Sequence, residues 1–181
     1  MRVSNVLVRR AHEDDLPRLA ELLRDCVAHM RSGGIDQWDE VYPDETTLRA
    51  DVDAGTLYVA AAPDHPIAGA FVVDQHQEPE YATVPWRIAP AGTSVGVVHR
   101  LMVHPSCQRR GLARHLMGFA ELAARRAGCA AMRLDAFTGN APSLCLYESL
   151  GYRDAGVVRF RKGVFRCLEK ALAPRARQRR S

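Results

Sequence analysis

Two apolar runs, Val95 to Val103 and Ala131 to Phe137, flank a turn and one amphipathic stretch, Leu112 to Ala127. A strand, a helix and a second strand in that order call for a parallel pair with a crossover, which restricts the fold more than any other stretch of this chain. The turn reads Gln108-Arg109-Arg110-Gly111-Leu112-Ala113. A helix N-terminus carries unpaired backbone N–H groups and a partial positive charge, so this turn is a ready site for an anion, phosphate above all. Gly111 lets the backbone approach closely, and Arg109 and Arg110 add charge at the rim. The same six residues also read as a helix start that is merely basic.

The rest of the chain fits a mixed α/β sandwich. Val6 to Val8 reads as a first strand. Leu16, Leu19, Leu23, Cys26 or Val27, and Met30 recur at helical spacing, with Asp14 and Asp15 at the start and Gly33-Gly34 at the end. Asp44 opens a second helix that stops at Gly55. Thr56 to Ala62 and Ile67 to Val73 form a hairpin about the turn residues Asp64-His65-Pro66. Asp74 to Gly92, with Pro79, Pro85 and Pro90, reads as a long exposed loop. Ser94 to His104 is a central strand, and Leu112, Leu116, Phe119 and Ala123 stripe the helix after it. Asn140 to Leu150 is a short helix, and Val157 to Phe160 pairs with Val164 to Leu168 through Lys162-Gly163.

Length and composition narrow the function classes. The 181 residues suit one domain, expected over residues 1–173. The net charge of +4 is matched by four arginines, Arg175, Arg177, Arg179 and Arg180, so residues 174–181 read as a basic, disordered tail on a nearly neutral body. That argues against a nucleic-acid-binding face. No apolar run reaches the roughly 20 residues of a membrane span, and the N-terminus lacks a signal peptide's apolar core; a cytoplasmic protein is expected. The five cysteines, Cys26, Cys107, Cys129, Cys145 and Cys167, are scattered, so neither a disulfide framework nor a metal site is expected.

At the turn the chain resembles the GNAT superfamily of acetyl-CoA-dependent N-acetyltransferases. The first landmark is the Gln108 to Ala113 run after the strand end Val103-His104-Pro105. The second is Asn140-Ala-Pro-Ser143-Leu-Cys-Leu-Tyr147 followed by Leu150-Gly151-Tyr152. Ala113 stands where many members have a second glycine. The detailed match covers residues 95 to 170 and is looser toward the N-terminus. The Gln37-Trp38 pair, Pro85-Trp86-Arg87 and Phe165 to Lys170 resemble a bacterial subgroup of that superfamily, which indicates no substrate. The resemblance implies a mixed, mostly antiparallel sheet flanked by helices. Its one parallel pair splays apart to take acetyl-CoA.

The resemblance also implies roles. Backbone groups of Leu101, Met102 and Val103 would pair with the pantetheine arm, and the amides of Gln108, Arg109, Arg110, Gly111, Leu112 and Ala113 would hold the pyrophosphate. Asn140, Ser143 and Tyr147 share a helical face. Asn140 would lie near the cofactor arm. The Tyr147 hydroxyl would protonate the departing thiolate, unless Tyr147 only anchors its helix. A phenol of pKa about 10 giving a proton to a thiolate of about 8.5 works slightly uphill.

An amine acceptor must lose a proton before attack, and His99, Asp135 or a water relay are candidates for taking it. Asp135 is alternatively a group that orients the substrate ammonium. Arg100 would hold a substrate carboxylate or form an internal ion pair. Trp38 offers an apolar wall, or packs under its own loop. Asp39 and Glu40 offer negative charge to an amine. Cys145 as an acetyl carrier is disfavoured by apolar helical surroundings.

The leading expectation is acetyl transfer to a primary amine of a small molecule by direct attack in a ternary complex, with a homodimer unsurprising. The alternatives are a non-catalytic acyl-CoA sensor and a protein or ribosomal-protein N-acetyltransferase.

Overall fold

The structure is a computed structural model that describes residues 6–62, 65–88 and 92–172. The basic tail therefore lies outside the described residues. Among those residues, seven strands form one sheet: β1 (Leu7–Arg10), β2 (Leu57–Ala62), β3 (His65–Asp74), β4 (Val95–Val103), β5 (Ala131–Phe137), β6 (Arg153–Phe160) and β7 (Gly163–Ala171). Their order is β1-β2-β3-β4-β5-β7-β6, and only β4 and β5 run parallel. The β4–β5 ladder is short, from Val95 opposite Ala131 to Val97 opposite Arg133. β5 nevertheless stays paired with β7 as far as Phe137, and β4 with β3 as far as Val103. The later half of β4 thus has a ladder partner on one side only, and the parallel pair parts as expected.

A bulge sits at that point. Val72 lies opposite His99 while Ala70 lies opposite Met102, so β4 carries the extra residue. Arg100 takes a left-handed φ of 50° there. Bulges bend a strand and re-aim a side chain, and this one sends Arg100 toward the helices on one face.

Helices cover both faces. α1 (Leu16–Ser32) and α2 (Glu45–Asp53) lie on one, burying Leu19, Leu22, Leu48 and Val52 with Val59, Val72 and Met102. Asp44 caps α2 by accepting from the Thr47 N–H at 2.8 Å. α3 (Leu112–Arg126) covers the other face through Leu112, Leu116, Met117, Ala120 and Ala124. Fully burying each of its large side chains is worth about 1.5–3 kcal/mol. Gly96 permits the close approach of α3: a Cβ there would stand 2.8 Å from both Ala124 Cβ and Met132 Sδ. α4 (Ala141–Ser149) follows β5 directly. Among the described residues no helix is long and apolar enough to cross a membrane.

The segment after β3 departs in part from expectation. It is exposed at most of its described residues, yet it is pinned at a few of them and carries a 3₁₀ turn at Pro79–Thr83. Tyr81 is 2% exposed and packs with Val84 against Val97, Val158, Phe165 and Cys167. Arg133 stacks on the Trp86 ring at 4.2 Å, and the buried Glu169 carboxylate accepts from the Arg87 N–H at 2.9 Å. Aromatic burial and a buried acceptor outweigh the proline-rich, polar look of the segment. β3 also begins at His65, inside the expected turn. β6 begins at Arg153 rather than Val157, with a register shift between Asp154 and Gly156.

Candidate active site

A cleft of about 1180 Å³ opens where β4 and β5 part. At one end stands the turn before α3. Gly111 is the N-cap of α3 at φ 83°, and no side chain caps the helix. The first N–H groups of α3 therefore lack the side-chain acceptor that most helices provide, and the cleft reaches them at Gly111, Leu112 and Ala113. Arg109 is also left-handed, at φ 58°, a conformation unusual for a residue with a Cβ. Gln108 holds the turn to the strand by donating from Nε2 to the Val103 carbonyl at 3.1 Å. Leu101, Met102 and Val103 line the same cleft, as do Arg109 and Arg114, whereas Arg110 is exposed and does not. An uncapped helix start facing a cleft suits a pyrophosphate; a capping side chain would have competed with it.

Asn140, Ser143 and Tyr147 line the cleft from α4. Asn140 is the N-cap: its Oδ1 accepts from the Ser143 N–H at 3.2 Å, and its Nδ2 donates to Gln37 Oε1 at 2.8 Å. Tyr147 is 7% exposed and its ring meets Tyr152 edge-on at 6.0 Å. Among the described residues nothing pairs with its hydroxyl. Burial pushes that hydroxyl's pKa up, with the nearby Asp135 charge adding to it. Tyr147 thus holds its proton at neutral pH. Cys145, expected among apolar neighbours, is exposed and outside the cleft lining, because α4 turns that side to solvent; the other four thiols are buried.

The opposite end lies among Trp38, Tyr42, Phe160 and Phe165. Trp38 is 8% exposed; it packs on the α1–α2 core and also lines the cleft. Asp39 does not offer a free charge: its carboxylate accepts from Arg161 at 2.6 and 2.9 Å and lies 3.3 Å from Lys162. The Arg161 bond, ahead of the other contacts, holds Asp39 far below the usual carboxylate range. Glu40 is likewise paired, with Arg31. Nor is Arg100 free for a substrate carboxylate. It binds Asp51 through two nitrogens, at 2.7 and 2.9 Å, and Tyr42 Oη at 2.6 Å. Burial works against the Arg100 charge, but Tyr42 and Asp51 outweigh it and raise its pKa.

His99 lines the cleft and is 9% exposed. Its Nε2 lies 3.3 Å from both Asp74 Oδ1 and the His76 carbonyl. Both neighbours accept hydrogen bonds, so Nε2 carries the hydrogen and the neutral ring has its lone pair on Nδ1. Burial pushes the Asp74 carboxyl up, but the His99 hydrogen bond and charge prevail and its pKa is lowered. Asp135 accepts from Tyr81 Oη at 2.8 Å, and burial keeps its carboxyl above the usual range despite that bond.

Asp74, Glu78, Tyr81 and Tyr42 reach this site without having been expected there. Three of them belong to the segment that resembled an exposed loop. Tyr81 and Trp86 amid its prolines were the signal that the segment is anchored.

The fold is shared with a GNAT acetyltransferase from Streptococcus agalactiae: 21% identity, TM-score 0.77, 92% of this chain and 95% of that one. It is shared with yncA from Salmonella typhimurium, solved with its cofactor acetyl-CoA: 21% identity, TM-score 0.68, 95% and 96%. The ribosomal-protein-S18-alanine N-acetyltransferase of Escherichia coli aligns at 16% identity and TM-score 0.67, over 97% and 99%. No curated protein sequence matches this one. The model of the acetyltransferase (GNAT) family matches residues 16–152, more than half of the sequence, and the chain belongs to that family.

Proposed function

We propose that the protein transfers an acetyl group from acetyl-CoA to a primary amine of a small molecule, by direct attack in a ternary complex. The observation that carries this reading is the uncapped, glycine-headed start of α3 opening on the same cleft as Tyr147, a buried residue whose hydroxyl has no partner among the described residues. Similarity to yncA with its acetyl-CoA supports the choice of cofactor. Residues Gln108 to Ala113 hold the pyrophosphate, the free side of Leu101 to Val103 the pantetheine arm, and Asn140 and Ser143 flank it. Acetyl-CoA supplies the acetyl group as a thioester.

The amine nitrogen forms a bond to the thioester carbon, and the carbon–sulfur bond breaks. His99 Nδ1 takes the proton that the amine must lose, with Asp74 holding the imidazole by Nε2. Tyr147 gives its proton to the sulfur and is reprotonated by the second proton that leaves the nitrogen after attack. Its raised pKa keeps it a donor at rest and makes the transfer depend on the charge building on sulfur. Asp135 orients the acceptor's ammonium beforehand, and Trp38 walls the acceptor.

A small acceptor is favoured over a protein N-terminus by the roof of the cleft. There the β6–β7 tip crosses to residues 36–39 through Arg161 to Asp39 and Lys162 to Asp36, a contact that narrows the opening. The test follows CoA release with a thiol reagent while purified protein meets acetyl-CoA and a panel of amines. Turnover on one amine class supports the enzyme. Acetyl-CoA binding with no turnover on any amine would favour a sensor, and no binding would remove the assignment of the α3 turn.

A further inference from the structure

We infer that the acceptor is a cationic amine on an apolar, aryl-sized body with no carboxylate beside the amine, selected by Glu78 and Asp135. The inference rests on the transferase reading and concerns the acceptor end of its cleft. Three basic side chains that line the cleft beside its aromatic rings are already bound to acids. Arg100 is held by Asp51, Arg161 by Asp39, and Lys162 by Asp36 and Asp39. Glu78 and Asp135 line the same end, and among the described residues neither has a basic partner within ion-pair distance. Asp135 receives only the Tyr81 hydroxyl, on Oδ2; Oδ1 accepts from nothing described. Glu78 lies near enough to influence both Tyr42 and Asp135. Glu78 and Asp135 therefore face an acceptor with no ion-pair partner among the described residues, and the Arg100 and His99 charges act on Asp135 only from farther off.

The rings of Trp38, Tyr42, Phe160 and Phe165 line the same cleft as those carboxylates. Aromatic faces attract a cation and bury an apolar body, and such pockets recognise amines in general. An α-amino acid would bring a carboxylate against Glu78 or Asp135 with Arg100, Arg161 and Lys162 already taken, a like-charge juxtaposition in a partly desolvated site. Tyr147, buried in the same cleft with its hydroxyl unpaired among the described residues, places the reacting end within reach of this pocket.

The test compares 2-phenylethylamine with phenylalanine, which share ring and amine and differ by the carboxylate. The α-amine of phenylalanine is the less basic, so deprotonation alone favours phenylalanine. CoA release is measured for wild type and Glu78→Gln, with calorimetry of acetyl-CoA binding on both proteins. A kcat/KM for 2-phenylethylamine about tenfold or more above that for phenylalanine is expected. Glu78→Gln is expected to remove most of that advantage and leave the acetyl-CoA affinity unchanged. Equal or better turnover of phenylalanine, or an unaltered preference in Glu78→Gln, overturns the inference. Bound acetyl-CoA with turnover of neither amine overturns it too and leaves the transferase reading standing. Failure to bind acetyl-CoA overturns both.

Discussion

The Asn140 amide nitrogen donates to Gln37 Oε1 at 2.8 Å, joining residues 103 positions apart. Through it the start of α4, on the proposed cofactor side, is tied to the segment after α1, on the proposed acceptor side of the cleft. The same Asn140 side chain caps α4 through its oxygen. The two functions separate by mutation. Gln37→Ala removes the tie and keeps the cap; losing one partly buried hydrogen bond should cost about 1 kcal/mol, a fall of about 2–4 °C in Tm, and by loosening the segment after α1 should raise KM for the amine. Asn140→Ala loses both and should cost about 1 kcal/mol more in stability, read as a further drop of about 2–4 °C in Tm. Equal Tm losses in the two variants would show that the tie, and not the cap, holds α4.

Tyr147→Phe keeps the ring that meets Tyr152 edge-on and deletes only the hydroxyl. Since nothing described pairs with that hydroxyl, stability should not fall. General acid catalysis contributes about a hundredfold or more, so kcat should drop by that order with KM for acetyl-CoA unchanged. Wild-type turnover in this variant would reduce Tyr147 to a helix anchor.

Gly111 adopts φ 83° at the head of α3. A β-branched residue there pays about 1–2 kcal/mol for the left-handed conformation or abandons it. Either way the amides of the turn lose their arrangement. Gly111→Val should raise KM for acetyl-CoA about tenfold, whereas Arg110→Ala, at an exposed residue outside the cleft, should change it less than about twofold. Steady-state kinetics at saturating amine decides; an unchanged KM in Gly111→Val would remove the pyrophosphate from this turn.

Four of the five thiols are buried and Cys145 is exposed. Burial pushes Cys26 up to about 12 and Cys167 likewise up to about 12, which makes both inert as nucleophiles. A maleimide should therefore label one site quickly, at Cys145, and leave turnover intact because that side chain lies outside the cleft. Loss of activity on stoichiometric labelling would reopen the covalent route.

The parts of this molecule that were legible in the sequence are those set by local rules. A glycine before an amphipathic run gave the α3 start, the spacing of Asn140, Ser143 and Tyr147 gave the face that α4 turns to the cleft, and apolar runs gave β4 and β5 with their crossover. The charges at the acceptor end were not legible. Whether Arg100 meets a substrate or Asp51 depends on a bulge that arises from the β3–β4 register, which no local pattern encodes. Asp39 is committed to Arg161 across 122 positions. Asp74, Glu78 and Tyr81 lie in or beside a proline-rich stretch without periodicity, and their place was fixed by burial of Tyr81 against β5 and β7. Local pattern locates the backbone of such a site; the pairing of its charges needs the tertiary structure.

Asp135 offers the sharpest separation of function from stability. Burial raises its carboxyl pKa, and the Tyr81 hydrogen bond offsets this only in part. The folded protein therefore keeps this proton at pH values where the unfolded chain, with a carboxyl near 3.9, has released it. The group's contribution to stability is fully present below about pH 4 and is lost as pH rises through the folded pKa. Asp135→Asn retains an oxygen for the Tyr81 hydroxyl and removes the charge. Its Tm should exceed that of wild type at pH 8, by about 2–4 °C for each kcal/mol regained, and the two should converge as pH falls below the carboxylate range. The same variant should bind the amine more weakly, with a raised KM for the amine and an unchanged KM for acetyl-CoA. A Tm difference that does not vary with pH would mean that the Asp135 charge costs the fold nothing. A more stable protein with a weaker acceptor site would identify Asp135 as a buried charge kept for the substrate.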